Sequence, residues 1–144
     1  MSESATELYQ QIVAGTRRAA EDGCPECTGV TPERIVWEDP YWILSRPDVH
    51  TELAAALLLQ TREHSRVGQL DDDLASQFGR ISNRLVRIVE NLPEAGYVDV
   101  NRFGAHRGHF HVWYFAPAAG SPGAKVDLHT VAVKLANWGG DARA

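Results

Sequence analysis

Two stretches of the chain repeat apolar side chains every three to four residues, and the remainder alternates short apolar runs with turn residues. Residues 6–21 set Leu8, Ile12, Val13 and Ala19-Ala20 at roughly helical spacing with Glu and Arg between them. This predicts an amphipathic N-terminal helix, ended at Gly23. Residues 71–92 carry the stronger pattern, with Leu74, Phe78, Ile81, Leu85, Ile88 and Leu92 on one face. Carboxylates at Asp71-Asp72-Asp73 suit the start of that helix, because they cap exposed amides and oppose the helix dipole. Pro93 ends it.

Between these stretches the pattern changes to strands. Residues 24–32 read as a turn-rich connector. Ile35-Val36-Trp37 and Tyr41-Trp42-Ile43-Leu44 are β-rich runs joined by Glu38-Asp39-Pro40, a hairpin signal. Residues 53–60 fit either a short helix or a central strand buried on both faces, since an unbroken Ala/Leu run satisfies both. After the long helix, residues 97–101 predict a strand, 104–108 a loop between two glycines, and 109–115 an aromatic-rich strand. Residues 116–123 form a Pro/Gly/Ala linker, and a short helix is expected from about residue 128 to 137. This order predicts an α+β fold, an antiparallel sheet with helices packed on it.

The 144 residues have the length of one domain, 1–144, and 44% hydrophobic with 23% charged residues is ordinary globular usage. A net charge of -5 argues against general affinity for nucleic acid or an anionic membrane. An anionic small molecule is still admissible, because a few local cations and amides suffice. No apolar stretch approaches the roughly 18 residues of a spanning helix, and residues 1–22 lack a secretory pattern. A cytoplasmic protein is expected.

Candidate chemistry concentrates on histidine. On a strand His109 and His111 share a face, about 7 Å apart, with Trp113 and Phe115 continuing that face. Phe110, Val112 and Tyr114 fall on the opposite, core side. Two imidazoles so placed suit a metal site, a histidine nucleophile with a supporting group, or a pair of solvated or core-edge side chains. Cys24-Pro25-Glu26-Cys27 offers two thiolates at zinc-ligand spacing, with unligated thiols or a redox pair as alternatives. Cys24, Cys27, His64 and one histidine of the 109/111 pair would complete a tetrahedral set. His50 and His129 read as surface residues, and Trp37, Trp42 and Trp138 as core or interface residues.

In order and spacing these features resemble the histidine-triad (HIT) superfamily of nucleotide hydrolases and transferases over residues 24–117. Cys24-x-x-Cys27 comes first, then Ile35-Val36-Trp37-Glu38-Asp39 in a hairpin, then the 58–64 run ending at His64. The long helix leads to His109-Phe110-His111-Val112-Trp113-Tyr114-Phe115, which matches the family's alternating histidine signature. The resemblance implies a HIT-like α+β fold with a long helix packed on an antiparallel sheet, an added N-terminal helix over 1–22 and a C-terminal extension over 118–144. It implies a structural zinc on Cys24, Cys27, His64 and His109, and His111 as the nucleophile toward a nucleotide α-phosphate. Asp48 falls near the family's ribose-binding acid. Arg102, His106, Arg107 and Trp113 are candidate substrate contacts. The family also implies a nucleotide partner and a homodimer paired through the long helix with its sheet continued across the interface. The apolar stripe of that helix serves intrachain packing equally well.

Three departures stand out. Trp113 occupies the place of the third histidine, and an indole has one N–H donor and no acceptor. Gln60-Thr61-Arg62-Glu63 lacks the family's Pro-Lys, and its Gly-Gln-Ser segment is missing. Nucleotidyl chemistry through His111 and a zinc-stabilised module that only binds a nucleotide or protein are therefore both carried forward. A catalytic metal on His106, His109 and His111 is a third reading, which leaves the cysteines unexplained.

Overall fold

In the computed structural model, residues 30–47, 51–102 and 109–138 are described. They contain a five-stranded sheet in the order β1-β2-β3-β5-β4, antiparallel at every pairing. The strands are β1 (Ile35–Glu38), β2 (Trp42–Ser45), β3 (Ala55–Thr61), β4 (Asp99–Asn101) and β5 (His111–Ala116). Helix α1 (Asp72–Glu90) lies between β3 and β4 in the chain, and α2 (Leu128–Ala136) follows the sheet. The expected helix over 6–21, with Cys24 and Cys27 after it, lies outside the described residues, as do 48–50 and 103–108.

The β1–β2 turn is made by Asp39, whose Oδ1 accepts from the backbone N–H groups of Tyr41 and Trp42, each at 2.8 Å. That local bond satisfies two amides the tight turn would otherwise leave open. The ambiguous 53–60 run resolves as central strand β3. Flanked by β2 and β5, it is buried on both faces except for a half-buried Leu58. Ala55, Leu57 and Leu59 join the main core beneath α1, whereas Ala56 and Leu58 pack with Leu53, Trp113 and Phe115 on the other face. A strand covered on both sides needs no polar alternation, which is why its sequence reads equally as helix.

Helix α1 begins where the acidic run predicts. Asp71 is its N-cap, its carboxylate accepting from the Leu74 N–H at 2.8 Å, and Asn91 closes the other end. Ile81, Leu85, Ile88 and Val89 are buried against the sheet, each contributing roughly 1.5–3 kcal/mol by removal from water. The apolar stripe is thus used inside the chain. Gln77 ties this helix to β2, its Oε1 accepting from the Trp42 indole N–H at 2.9 Å. Asp127 caps α2 through the His129 N–H, and Val131 and Leu135 seat that helix against α1 and β1. No described helix is long and apolar enough to cross a membrane.

Both strands that follow α1 depart from expectation. β5 starts at His111, not His109, and extends to Ala116. The reason is local: the Phe110 N–H donates to the Ser65 carbonyl at 2.6 Å, so the residues before His111 bond to a loop and not to the ladder. β4 is confined to 99–101, because the Val98 N–H is taken by the Glu90 carboxylate at 2.8 Å and the Gly96 N–H by Pro117.

Candidate functional site

The sheet alternation puts His111, Trp113 and Phe115 on the face away from α1, and Val112 and Tyr114 beneath it, as the sequence predicts. The rings of His111 and Trp113 meet edge to face with centroids 6.2 Å apart, and Trp113 stacks on Phe115 at 5.9 Å. Across the β3–β5 ladder, Gln60 is paired with His111 and Leu58 with Trp113. Gln60 is therefore a neighbour of His111 on the same face, and it is buried. Sequence reasoning passed over it. Its signal was a polar residue closing an apolar run at a position the alternation turns inward.

Backbone carbonyls fix the two imidazoles of the 109–111 segment. His109 Nε2 lies 2.8 Å from the Thr61 carbonyl oxygen, and His111 Nδ1 lies 2.7 Å from the His109 carbonyl oxygen. A carbonyl only accepts, so each of these nitrogens carries the proton. In the neutral form of each ring the lone pair then lies on Nδ1 of His109 and on Nε2 of His111. Both side chains are buried, at 1% exposure each.

The loop after β3 brings His64 beside His109, with ring centroids 5.0 Å apart and planes at 80°. Two imidazoles bound to one tetrahedral zinc at about 2.0–2.1 Å per bond have ring centres about 5 Å apart, a spacing that an ordinary edge-to-face ring pair shares. Donation of the second ring N–H of His109 to a carbonyl is the arrangement metal-bound imidazoles adopt. Among the described residues no three His, Cys, Asp or Glu side chains gather into a metal site. Cys24 and Cys27, the other two expected ligands, lie outside the described residues.

The other expected contacts separate. Arg102 donates from Nε to the carbonyl of His111 at 3.2 Å, and its guanidinium lies 4.8 Å from the centre of the Phe110 ring. Phe110 belongs to the core beneath α1, so Arg102 reaches the backbone of His111 from the side opposite its imidazole. Partial burial lowers the pKa of Arg102 below the usual arginine value. Asp48, His106 and Arg107 lie outside the described residues.

The described elements define an α+β protein with a five-stranded antiparallel sheet, one long helix on one face and His111 on the other. No family model and no curated protein matches the chain in sequence. Solved structures do match in fold. A hypothetical histidine triad nucleotide-binding protein from Sulfolobus tokodaii strain 7 superposes with a TM-score of 0.54 at 13% identity, over 72% of this chain and 84% of that one. A Hit-like protein involved in cell-cycle regulation from Bartonella henselae gives 0.53 at 17% identity, over 77% and 90%. A zinc-bound histidine triad family protein from Mycobacterium smegmatis aligns more loosely, at 0.46 and 14% identity over 78% and 87%, and does not bear on the metal question. This chain has the histidine-triad fold.

Proposed function

We propose that the chain is a HIT-like nucleotide-binding protein in which His111 is a nucleophile toward the α-phosphate of a nucleoside phosphate, phosphoramidate or dinucleoside polyphosphate. The supporting observation is the 2.7 Å bond from His111 Nδ1 to the His109 carbonyl, which leaves Nε2 with the lone pair. In the first step Nε2 bonds to phosphorus, and the bond to the leaving group breaks with its electron pair departing on that group. The Nδ1 proton stays on its carbonyl, which supports the positive charge on the ring. Water then displaces the imidazole from phosphorus and releases one proton to solvent. Arg102 is a positioning residue in this scheme, holding the backbone of His111. Asp48, His106 and Arg107 are the nucleotide contacts this reading requires.

Trp113 limits the chemistry. It offers no acid to protonate a departing group, so leaving groups stable as anions are favoured over amines. The same reading assigns Cys24, Cys27, His64 and His109 to a structural zinc, whose four protein ligands leave no position for water. Homodimer formation by continuing the sheet is supported by Tyr97, 86% exposed, and Val100, exposed on the edge strand β4.

One observation favours the second reading, a nucleotide-binding module with little turnover. His111 is buried and its strand-mate Trp113 is enclosed by Leu53, Ala56, Leu58 and Phe115. Incubation with adenosine 5′-phosphoramidate and with a diadenosine polyphosphate, followed by rapid quench and peptide mass mapping, separates the two. A nucleotidyl adduct on His111 supports the nucleophile. Saturable nucleotide binding with neither adduct nor turnover selects the binding module, and absence of both overturns the proposal.

A further inference from the structure

Strand β3 ends on the two residues that frame the histidine pair. The Thr61 carbonyl oxygen lies 2.8 Å from His109 Nε2, and Gln60 is the cross-strand partner of His111. Directly opposed residues of an antiparallel pair have Cβ atoms about 4.5–5.5 Å apart, nearer than the roughly 7 Å separating His111 from Trp113 along β5. On its other side Gln60 is paired with Ile43 of β2. It therefore stands between Ile43 and His111 on the histidine face of the sheet.

The residue type at this rung is out of keeping with its strand. Residues 55–59 are alanine and leucine, and Gln60 continues the run at 1% exposure. A buried carboxamide is unfavourable unless hydrogen-bonded, whereas another leucine would sit there without needing a partner. A carboxamide also has more capacity than one bond uses, with two N–H donors and an oxygen carrying two lone pairs. It can hold a neighbour in the fold and still present an N–H to a ligand at the next strand. Being neutral, it is far easier to enclose than lysine or arginine. Arg102, which contacts the backbone of His111, approaches from the opposite face and cannot fill this place.

We infer that Gln60 is a catalytic contact of the His111 site, its side-chain amide donating to one non-bridging oxygen of the phosphate that His111 attacks. This role rests on His111 being the nucleophile proposed above and adds a residue to that scheme. As His111 Nε2 bonds to phosphorus, the charge on the non-bridging oxygens has to be balanced. A donor fixed in a buried site does this more strongly than water. A single donor approaching from β3 meets one of the two oxygens and not the other, so the site distinguishes the two faces of the phosphate.

The test uses the full chain, ATP, and the two diastereomers of adenosine 5′-O-(1-thiotriphosphate), in which sulfur replaces one or the other non-bridging α-oxygen. Attack by His111 releases pyrophosphate, and rapid quench reads the rate of adduct formation with each compound. Sulfur is the poorer acceptor, so the parent is expected to react more slowly with the diastereomer whose sulfur faces Gln60. Gln60→Leu is expected to lose about a hundredfold in adduct rate with ATP and to bring the two thio rates to within about twofold of each other. Gln60→Glu keeps the length of the side chain but lacks its N–H groups, and is expected to behave alike. It serves in place of the leucine variant if circular dichroism shows that variant unfolded. A residue that only supports the fold lowers both thio rates together and leaves their ratio unchanged. That result, a parent that does not discriminate the diastereomers, or parent rates kept in both variants overturns the role of Gln60 while leaving His111 as the nucleophile. No adduct on His111 of the parent with any of the three compounds overturns the nucleophile, and the role of Gln60 with it.

Discussion

His111 donates its Nδ1–H to the carbonyl oxygen of His109, two residues earlier in the same chain and 2.7 Å away. The acceptor is backbone, so no side-chain substitution removes it, and the ring orientation is coupled to the path of the chain entering β5. The test lies in the ring itself. His111→Gln keeps an N–H donor for the same carbonyl but has no nucleophilic lone pair. It is expected to fold within about 1 kcal/mol of the parent and to form no nucleotidyl adduct. An adduct found in this variant removes His111 from the chemistry.

Replacing Trp113 by histidine restores a proton donor beside the proposed nucleophile. The variant is expected to accelerate turnover of phosphoramidates, whose amine leaving groups need a proton, by about tenfold or more, and to change dinucleoside polyphosphate turnover less. Equal effects on both substrates would show that Trp113 limits access and not proton delivery.

Zinc is tested by metal content and stability together. Cys24→Ser and His64→Ala are each expected to lower bound zinc from about one per chain and to lose several kcal/mol of apparent stability, a fall of roughly 10–20 °C in Tm. A chelator should destabilise the parent and leave these variants unchanged. Variants that melt like the parent would rule the metal out.

Tyr114 supplies a pH test. Its hydroxyl donates to Ser82 Oγ at 2.9 Å, and burial pushes its pKa up to about 12, with the Ser82 bond acting weakly in the opposite direction. Below pH 10 the phenol is neutral in both folded and unfolded chains, and its stabilising contribution is fully present. Between pH 10 and about 12 the unfolded chain ionises and the folded chain does not, so this contribution falls as pH rises. Tyr114→Phe should therefore cost about 1 kcal/mol below pH 10 and progressively less above it, as read from Tm along a pH series. A deficit constant with pH would contradict the assignment.

Trp42 anchors α1 to the hairpin through its indole N–H and through ring contacts with Phe78 and Phe110 at 6.3 and 5.8 Å. Trp42→Phe keeps most of the apolar volume but removes the donor to buried Gln77. The expected loss is about 1–3 kcal/mol by denaturant titration. Gln77→Leu in the same background should recover part of it, because the stranded amide is then gone.

Much of this fold was legible because its signals are local. The Asp71 cap and the Leu74-to-Leu92 periodicity located α1 to within two residues at either end, and Asp39 marked the hairpin turn. Strand β3 was ambiguous because burial on two faces erases alternation, and only its neighbours β2 and β5 decide the matter. At the histidines, strand alternation predicted the face of His111 but neither its ring orientation, which depends on how the chain bends into β5 and brings the His109 carbonyl to Nδ1, nor the inward Gln60, which depends on the register of β3 against β5. Arg102 illustrates the same limit. Proximity in sequence to the histidine motif said nothing about which side of the sheet its guanidinium would take, and Phe110 draws it to the helix side.

The pairing of Gln60 with His111 is one rung of a ladder running to Ala55 opposite Ala116. Because side chains alternate, sliding β5 by a single rung would carry His111, Trp113 and Phe115 under the helix and expose Val112 and Tyr114 in their place. The main core, filled by Leu57, Leu59, Val112 and Tyr114, strongly disfavours that slip. The greasy side of this sheet thus acts as the address label for its histidine-bearing side: evolution could redraw that face residue by residue, provided the layer beneath the helix kept every strand in step.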